Sequence, residues 1–251
     1  MELRENERLD DLQIGNLYII QNKTKYNFTA DAVLLAGFSK VKNGDVVVDL
    51  GTGSGVIATL IAYKSKAKKV YGVELQAELA DMAKRSVEYN KLQDRIEIIN
   101  CDMKECHKTI NSVDVVVCNP PYFKSGSCEK NLSKEIALCR HEIAINLNEV
   151  ILSAKRLLKF GGKFFLVHKS DRLAEIIYLL KSNGLEPKRI RLVQALENTP
   201  PHLVLIESKL GGQQGVIVEQ NLILNNADGS LSDEARQIYS KESLWAESYT
   251  L

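Results

Sequence analysis

The run Val46-Val47-Val48-Asp49-Leu50-Gly51-Thr52-Gly53-Ser54-Gly55 constrains the fold more than any other stretch of the chain. A β-branched apolar run reads as a strand buried on both faces, as in parallel sheets covered by helices. The glycines that follow allow backbone to approach a ligand that a Cβ would hold off. Val56 to Tyr63 reads as a helix, so the loop delivers its N–H groups and a positive helix end to whatever sits above the sheet. The dinucleotide fingerprint wants G-x-G-x-x-G, whereas this loop is G-x-G-x-G with Asp49 ahead of its first glycine. A carboxylate there repels a pyrophosphate and favours the cationic end of a ligand such as S-adenosylmethionine.

A second predicted strand, Lys69 to Val73, ends in Glu74, near the spacing at which an acid meets ribose hydroxyls. The alternative is a tight strand-to-helix turn followed by an ordinary surface Glu. Gln76 to Lys91 has helical spacing, and Ile96 to Ile99 reads as a third strand leading to Asn100-Cys101-Asp102. Asp102 therefore belongs at a strand's carboxyl end, the ligand-binding edge of an open α/β sheet, where it can meet an adenine amino group or cap a helix.

Val113 to Cys118 is the fourth predicted strand, and it delivers Asn119-Pro120-Pro121-Tyr122 to the same edge as Gly51. Two prolines hold the backbone extended and remove two N–H donors. The Pro120 carbonyl and the Asn119 side-chain oxygen are left as fixed acceptors. Acceptors that grip a planar NH₂ group, beside the Tyr122 ring that stacks on its plane, suit an exocyclic base amine or a carboxamide.

Phe123 to Arg140 has no clear period and reads as a loop. Asn146 to Lys159 then reads as a helix stopped by Gly161-Gly162, and Lys163 to His168 as a fifth strand. Asp171 to Ser182 is a further helix, with strands at Arg189 to Val193 and His202 to Ser208. Near the start, Tyr26 to Ala36 runs from an extended piece into a helix for which Thr29 is the expected cap. That segment serves as a flap over the cofactor loop or as a helix sealing the sheet edge.

A net charge of +1 gives no global field, so any nucleic-acid surface must be local. Lys23, Lys25, Lys124 and Lys130 flank the expected mouth of the site and are the candidate RNA contacts. Further basic groups stand at Lys64, Lys66, Lys68, Lys69, Lys188, Arg189 and Arg191. The charged start Met1-Glu2-Leu3-Arg4-Glu5 excludes a secretory signal, no apolar run spans a membrane, and a cytoplasmic protein is expected. The five cysteines read as free thiols, and no metal is expected, because Cys106, His107, Cys139 and His141 match no familiar zinc spacing.

Asp49 to Gly55, Glu74, Asp102 and Asn119-Pro120-Pro121-Tyr122, in this order, resemble the class I S-adenosylmethionine-dependent methyltransferases acting on planar nitrogen. Within that class the chain looks most like the bacterial valine-tRNA adenine-N6 methyltransferases, which modify the adenine next to the anticodon. Phe28 to Ala36 is similar to that family's N-terminal signature. Asp228 to Ser232 with Ile238-Tyr239 is similar to its C-terminal ending, although Leu231-Ser232 replaces the usual aromatic-Thr pair. The resemblance implies a Rossmann-like α/β fold with a seven-stranded, mostly parallel sheet and helices on both faces. Residues 1–43 would form an N-terminal extension or flap packing on a methyltransferase domain at 44–251.

By the same resemblance, Asp49, Gly51, Gly53, Gly55, Glu74, Asp102, Asn119, Thr29 and Asp31 hold S-adenosylmethionine. Asn119, Pro120 and Tyr122 hold the target amine, tRNA is the partner and a monomer is favoured. The glutamine-N5 methyltransferases of release factors share the Asn-Pro-Pro-Tyr logic and are the competing reading. They resemble a longer N-terminal helical domain joined to the same core.

Overall fold

A computed structural model of the chain describes residues 2–22, 30–122 and 146–239. It opens with a hairpin of β1 (Glu7–Asp11) and β2 (Tyr18–Asn22), paired antiparallel from Glu7 opposite Asn22 to Asp11 opposite Tyr18. Helix α1 (Ala30–Phe38) follows. Strands β3 (Val46–Leu50), β4 (Lys69–Glu74) and β5 (Ile96–Asn100) then alternate with α2 (Val56–Lys64) and α3 (Ala77–Tyr89).

The second half contains β6 (Val113–Cys118), α4 (Leu147–Leu157), β7 (Leu158–Lys169), α5 (Leu173–Ser182), β8 (Leu185–Gln194) and β9 (Leu203–Leu210). Two-residue strands β10 (Ile217–Val218) and β11 (Leu222–Ile223) precede α6 (Asp233–Tyr239).

The main sheet runs β10-β8-β9-β7-β6-β3-β4-β5, with β11 also on β8. Of its nine strands among the described residues, β10 and β11 are short parallel additions at the β8 edge, and the other seven match the sequence expectation. β9 alone is antiparallel to its neighbours, β7 and β8. After β5 the chain returns across β4 and β3 to lay β6 on the far side of β3. The crevice outside the carboxyl ends of β3 and β6 is thus the switch point at which such sheets bind ligands.

Alternation along the strands explains the two-sided core. Val47, Val115, Val117, Phe165 and Val167 face the hairpin and helices α1 to α3, while Val48, Leu50, Val116, Phe164 and Leu166 face α4 and α5. α4 starts on a capping box between Asn146 and Glu149.

The Gly161-Gly162 pair does not stop α4 as the sequence led us to expect. Leu158 is already extended, and β7 begins there. The β6–β7 register jumps from Val113 opposite Leu158 to Val115 opposite Lys163, so the surplus residues bulge. Gly161 sits in the bulge at φ +82°, and a Cβ on Gly162 would lie 3.1 Å from the Asp114 carbonyl oxygen.

The N-terminal hairpin is part of this core. Leu12, Ile14, Leu17, Ile19 and Ile20 are buried. The Ile20 N–H donates to Ser86 Oγ at 2.9 Å, the Tyr18 N–H donates to Asn90 Oδ1 at 2.9 Å, and Arg85 grips both oxygens of Glu7. The turn packs under the Tyr63 ring of α2, and the outer end of that ring fills the space that a Cβ on Gly15 would occupy. Among the described residues, no helix is long and apolar enough to cross a membrane.

Candidate active site

Leu50 and Cys118 are direct neighbours in the β3–β6 register, so the Gly51 loop and Asn119 leave the sheet side by side. Asp49, one residue earlier, is fully buried. Thr52 Oγ1 donates to its Oδ2 at 2.6 Å, while Oδ1 receives no hydrogen bond among the described residues. Burial pushes the carboxyl up to about 7, against the pull of the Thr52 hydroxyl and of the Ala58 N–H at the start of α2, and with some help from the Glu74 charge. A buried carboxylate oxygen without a donor fits a ligand that brings a cationic or N–H group to it.

The three glycines expected to share one role divide into two. All have positive φ, +70°, +57° and +90° for Gly51, Gly53 and Gly55. A Cβ on Gly53 would meet nothing within 4 Å, and one on Gly51 only Met103 Cε at 3.8 Å, which leaves open space above the backbone. At Gly55 the same atom would make an ordinary contact with Ala83 Cβ at 3.4 Å, so this position packs against α3 as α2 begins, and its left-handed backbone rather than crowding calls for glycine.

Glu74 is buried at the end of β4. Its Oε2 accepts the Gly53 N–H and its Oε1 the Gln76 N–H, each at 2.9 Å. The carboxylate therefore ties the second strand to the glycine loop while both oxygens keep lone pairs for a ligand. Burial raises its pKa and these backbone donors counteract part of the rise. Asn100 was not singled out in the sequence, yet its Nδ2 donates to the carbonyls of Glu74 and Leu75, both at 2.9 Å. Leu75, 48 % exposed beside that acid, offers an apolar surface at the ligand edge. A leucine directly after the acidic residue is visible in the sequence, but its exposure is not.

Asp102 follows β5 and accepts the Lys104 N–H at 2.9 Å through Oδ1, with Lys104 Nζ 3.4 Å from Oδ2. It thus performs the local turn-capping role while standing at the same edge.

Pro120 is buried, and Asn119 and Tyr122 are half-buried at the mouth. The Tyr122 hydroxyl lies 2.7 Å from Asp31 Oδ2 and 2.9 Å from Asn119 Oδ1. Sequence reasoning gave that hydroxyl no task, and in the structure it has these two polar contacts. The Tyr122 ring lies 5.1 Å from the His168 ring, centroid to centroid, and Lys169 Nζ is 5.0 Å from its face. Burial first, then the nearby Arg172 charge, depress His168 to about 4, so it is a neutral wall near pH 7.

Thr29, Lys23, Lys25, Lys124 and Lys130 lie outside the described residues, as do the expected loop at 123–140 and Cys139 and His141. Several other basic groups have intramolecular partners. Arg189 pairs with Glu207 and Glu219 and stacks 3.8 Å from the Phe38 ring centroid, and Arg191 pairs with Glu234. Lys188 donates to the Gln213 and Gly215 carbonyls, Lys69 pairs with Glu97, and Lys64 Nζ donates to the Ile238 carbonyl at 2.8 Å.

Residues 23–182 match the protein-family model described as the methyltransferase small domain. A tRNA1(Val) (adenine(37)-N6)-methyltransferase of Haemophilus influenzae is 27 % identical over 220 residues, covering 86 % of this chain and 90 % of the relative. A solved structure of a predicted O-methyltransferase from Agrobacterium tumefaciens superposes with a TM-score of 0.68 at 21 % identity, covering 83 % of this chain and 95 % of that one. A geranyl diphosphate C-methyltransferase from Streptomyces coelicolor, solved with S-adenosyl-L-homocysteine, gives a TM-score of 0.52 at 16 % identity, over 72 % and 77 % of the two chains.

Proposed function

We propose, from the premise that this chain belongs to the methyltransferase small domain family, that it methylates the exocyclic N6 of an adenine in tRNA. The methyl donor is S-adenosylmethionine, and the target is the adenine next to the anticodon of valine tRNA. The observation that carries this reading is the placement of Asn119-Pro120-Pro121-Tyr122 beside the Gly51 loop at the switch point of the sheet. The names of the relatives support the tRNA substrate over a protein glutamine.

S-adenosylmethionine, when bound, supplies a methyl group on a positively charged sulfur. Asp49, with its unpartnered Oδ1, and the open backbone of Gly51 and Gly53 would hold the methionine part, Glu74 the ribose and Asp102 the adenine. An adenine amine is a poor nucleophile because its lone pair is delocalised into the ring. No base need remove a proton first, since the nitrogen becomes acidic only as the new bond forms. The Asn119 oxygen and the Pro120 carbonyl accept the N–H bonds and stabilise the positive charge that develops there. The Tyr122 ring stacks on the extruded base, worth about 1 to 3 kcal/mol for a base–aromatic contact.

Lys23, Lys25, Lys124 and Lys130 are the proposed RNA contacts, and Thr29 is proposed to line the cofactor side. The reading includes a monomeric enzyme in the cytoplasm. Labelled S-adenosylmethionine and total tRNA, digested to nucleosides after reaction, should yield N6-methyladenosine. Asn119→Ala should cut turnover by roughly 10² to 10³ with cofactor affinity nearly unchanged. A different methylated nucleoside, or label only in protein, would overturn the reading.

A further inference from the structure

The hydroxyl of Tyr122 contacts two groups drawn as acceptors, Asp31 Oδ2 at 2.7 Å and Asn119 Oδ1 at 2.9 Å. A phenol carries one hydrogen and cannot donate to both. A carboxylate only accepts, whereas an amide presents an oxygen on one edge and an NH₂ of nearly the same shape on the other. The shorter, charge-assisted contact to Asp31 takes the phenol hydrogen. The amide edge facing the phenol oxygen is then the NH₂ group of Asn119, and the Asn119 oxygen lies on the opposite edge, away from Tyr122.

We propose that Asp31 is a positioning residue that acts through the Tyr122 hydroxyl to fix the Asn119 amide with its oxygen presented to the incoming amine. The inference rests on the function proposed above and assigns to Asp31 a task other than holding the cofactor. The geometry suits it. Asp31 lies in the first turn of α1, whose Ala32 to Ala36 are buried in the core shared with α2 and the sheet, so the carboxylate is held on a rigid element. The Tyr122 ring is flanked by His168 and Lys169, which limits where its hydroxyl can point. Without the Asp31 charge, the phenol hydrogen turns to the Asn119 oxygen and occupies the acceptor that the substrate needs. The chain from carboxylate to phenol to amide also polarises each bond in the same sense, which strengthens Asn119 as an acceptor.

The test is a double-mutant cycle on Asp31→Asn and Tyr122→Phe, read as single-turnover methylation of tRNA at saturating cofactor. The amide in Asp31→Asn can donate to the phenol oxygen, which reverses the polarity of the chain. Single-turnover methylation should slow by roughly 10- to 100-fold, by analogy with the loss of a residue that orients a metal ligand, with the half-saturating tRNA concentration and calorimetric cofactor affinity within about twofold. Tyr122→Phe removes the link, so adding Asp31→Asn to it should cost less than about twofold more.

The Asn119 side-chain NH₂ signals in an amide-labelled protein give a readout that needs no substrate. They should shift in Asp31→Asn and be insensitive to Asp31→Asn in the Tyr122→Phe background. A full Asp31→Asn penalty that persists without the hydroxyl, or a loss that appears as weaker cofactor binding, overturns the inference while leaving adenine methylation by the wild type intact. Unmoved Asn119 signals overturn it whatever the substrate proves to be.

Discussion

Replacing Asp49 with asparagine should make the cofactor-free protein more stable at neutral and alkaline pH while abolishing tight cofactor binding. The carboxyl has an ordinary value of 3.8 and is raised to about 7 in the fold. The folded state therefore holds this proton more tightly than the unfolded chain does. The associated stability is fully present below pH 4, drains away as the pH rises to about 7, and is level above it. At about 1.36 kcal/mol per pH unit, the whole window is worth on the order of 4 kcal/mol, and the part between pH 5 and pH 8 roughly 2.5 kcal/mol. Asp49→Asn cannot titrate there, and its side-chain oxygen can still accept the Thr52 hydroxyl. Urea unfolding of both cofactor-free proteins at pH 5 and pH 8 isolates the group together with its coupling to Glu74, because the remaining titrations are common to the two. The variant should gain roughly 2.5 kcal/mol on the wild type between the two pH values. A gap that changes by less than about 0.5 kcal/mol, within the range of ordinary surface effects, would refute a buried, strained carboxyl at Asp49.

Glu74→Gln should lose cofactor affinity at least tenfold, close to the effect of full truncation. Both carboxylate oxygens already receive backbone N–H groups, and an amide would turn an NH₂ against one of them. The expected loss is about 1.5 to 3 kcal/mol per hydrogen bond to a charged group. Calorimetry giving wild-type affinity for the glutamine variant would show that the two N–H contacts are immaterial. Ser86→Ala should cost about 1 to 3 kcal/mol, because the buried Ile20 N–H loses its acceptor. Amide exchange at Ile20 should quicken with it, and a variant within 0.5 kcal/mol of wild type, on the scale of ordinary surface substitutions, would mean that the hairpin does not depend on this bond.

The parts of the fold that could be read from sequence are those whose physics is local. Val46 to Val48 and Val113 to Val117 carry the signature of strands buried on both faces. The glycine loop and the Asn146 cap likewise announce a strand-to-helix turn and a helix start through their own residue types. The first strand of the hairpin, Glu-Arg-Leu-Asp-Asp, could not be read, because it is charged and is held by pairing with β2 and by Arg85 on a distant helix. The glycines at 161 and 162 gave a helix-stop signal but serve a bulge whose need is set by β6. In the site, the carboxylates and the Asn-Pro-Pro-Tyr segment were visible as motifs. The contact between Asp31 and Tyr122 was not, since it joins positions far apart in the chain through a side chain that no spacing rule connects to a helix start.

The strand order of the sheet makes its carboxyl edge a ruler. The acidic group after β5, Glu74 on β4, Asp49 on β3 and Asn119 after β6 stand on four adjacent parallel strands, although in the chain Asp102 separates Glu74 from Asn119. Hydrogen-bonded strands keep a pitch of about 4.8 Å, so the outermost marks are roughly 14 Å apart. Backbone ladders fix that length, and insertions or deletions in the connecting loops leave it alone. On the proposed reading, the spacing available to the ligand is set by the sheet, whereas the choice of which molecule presents its amine at the last mark would fall to segments off the ruler. Those segments can diverge without disturbing the graduations.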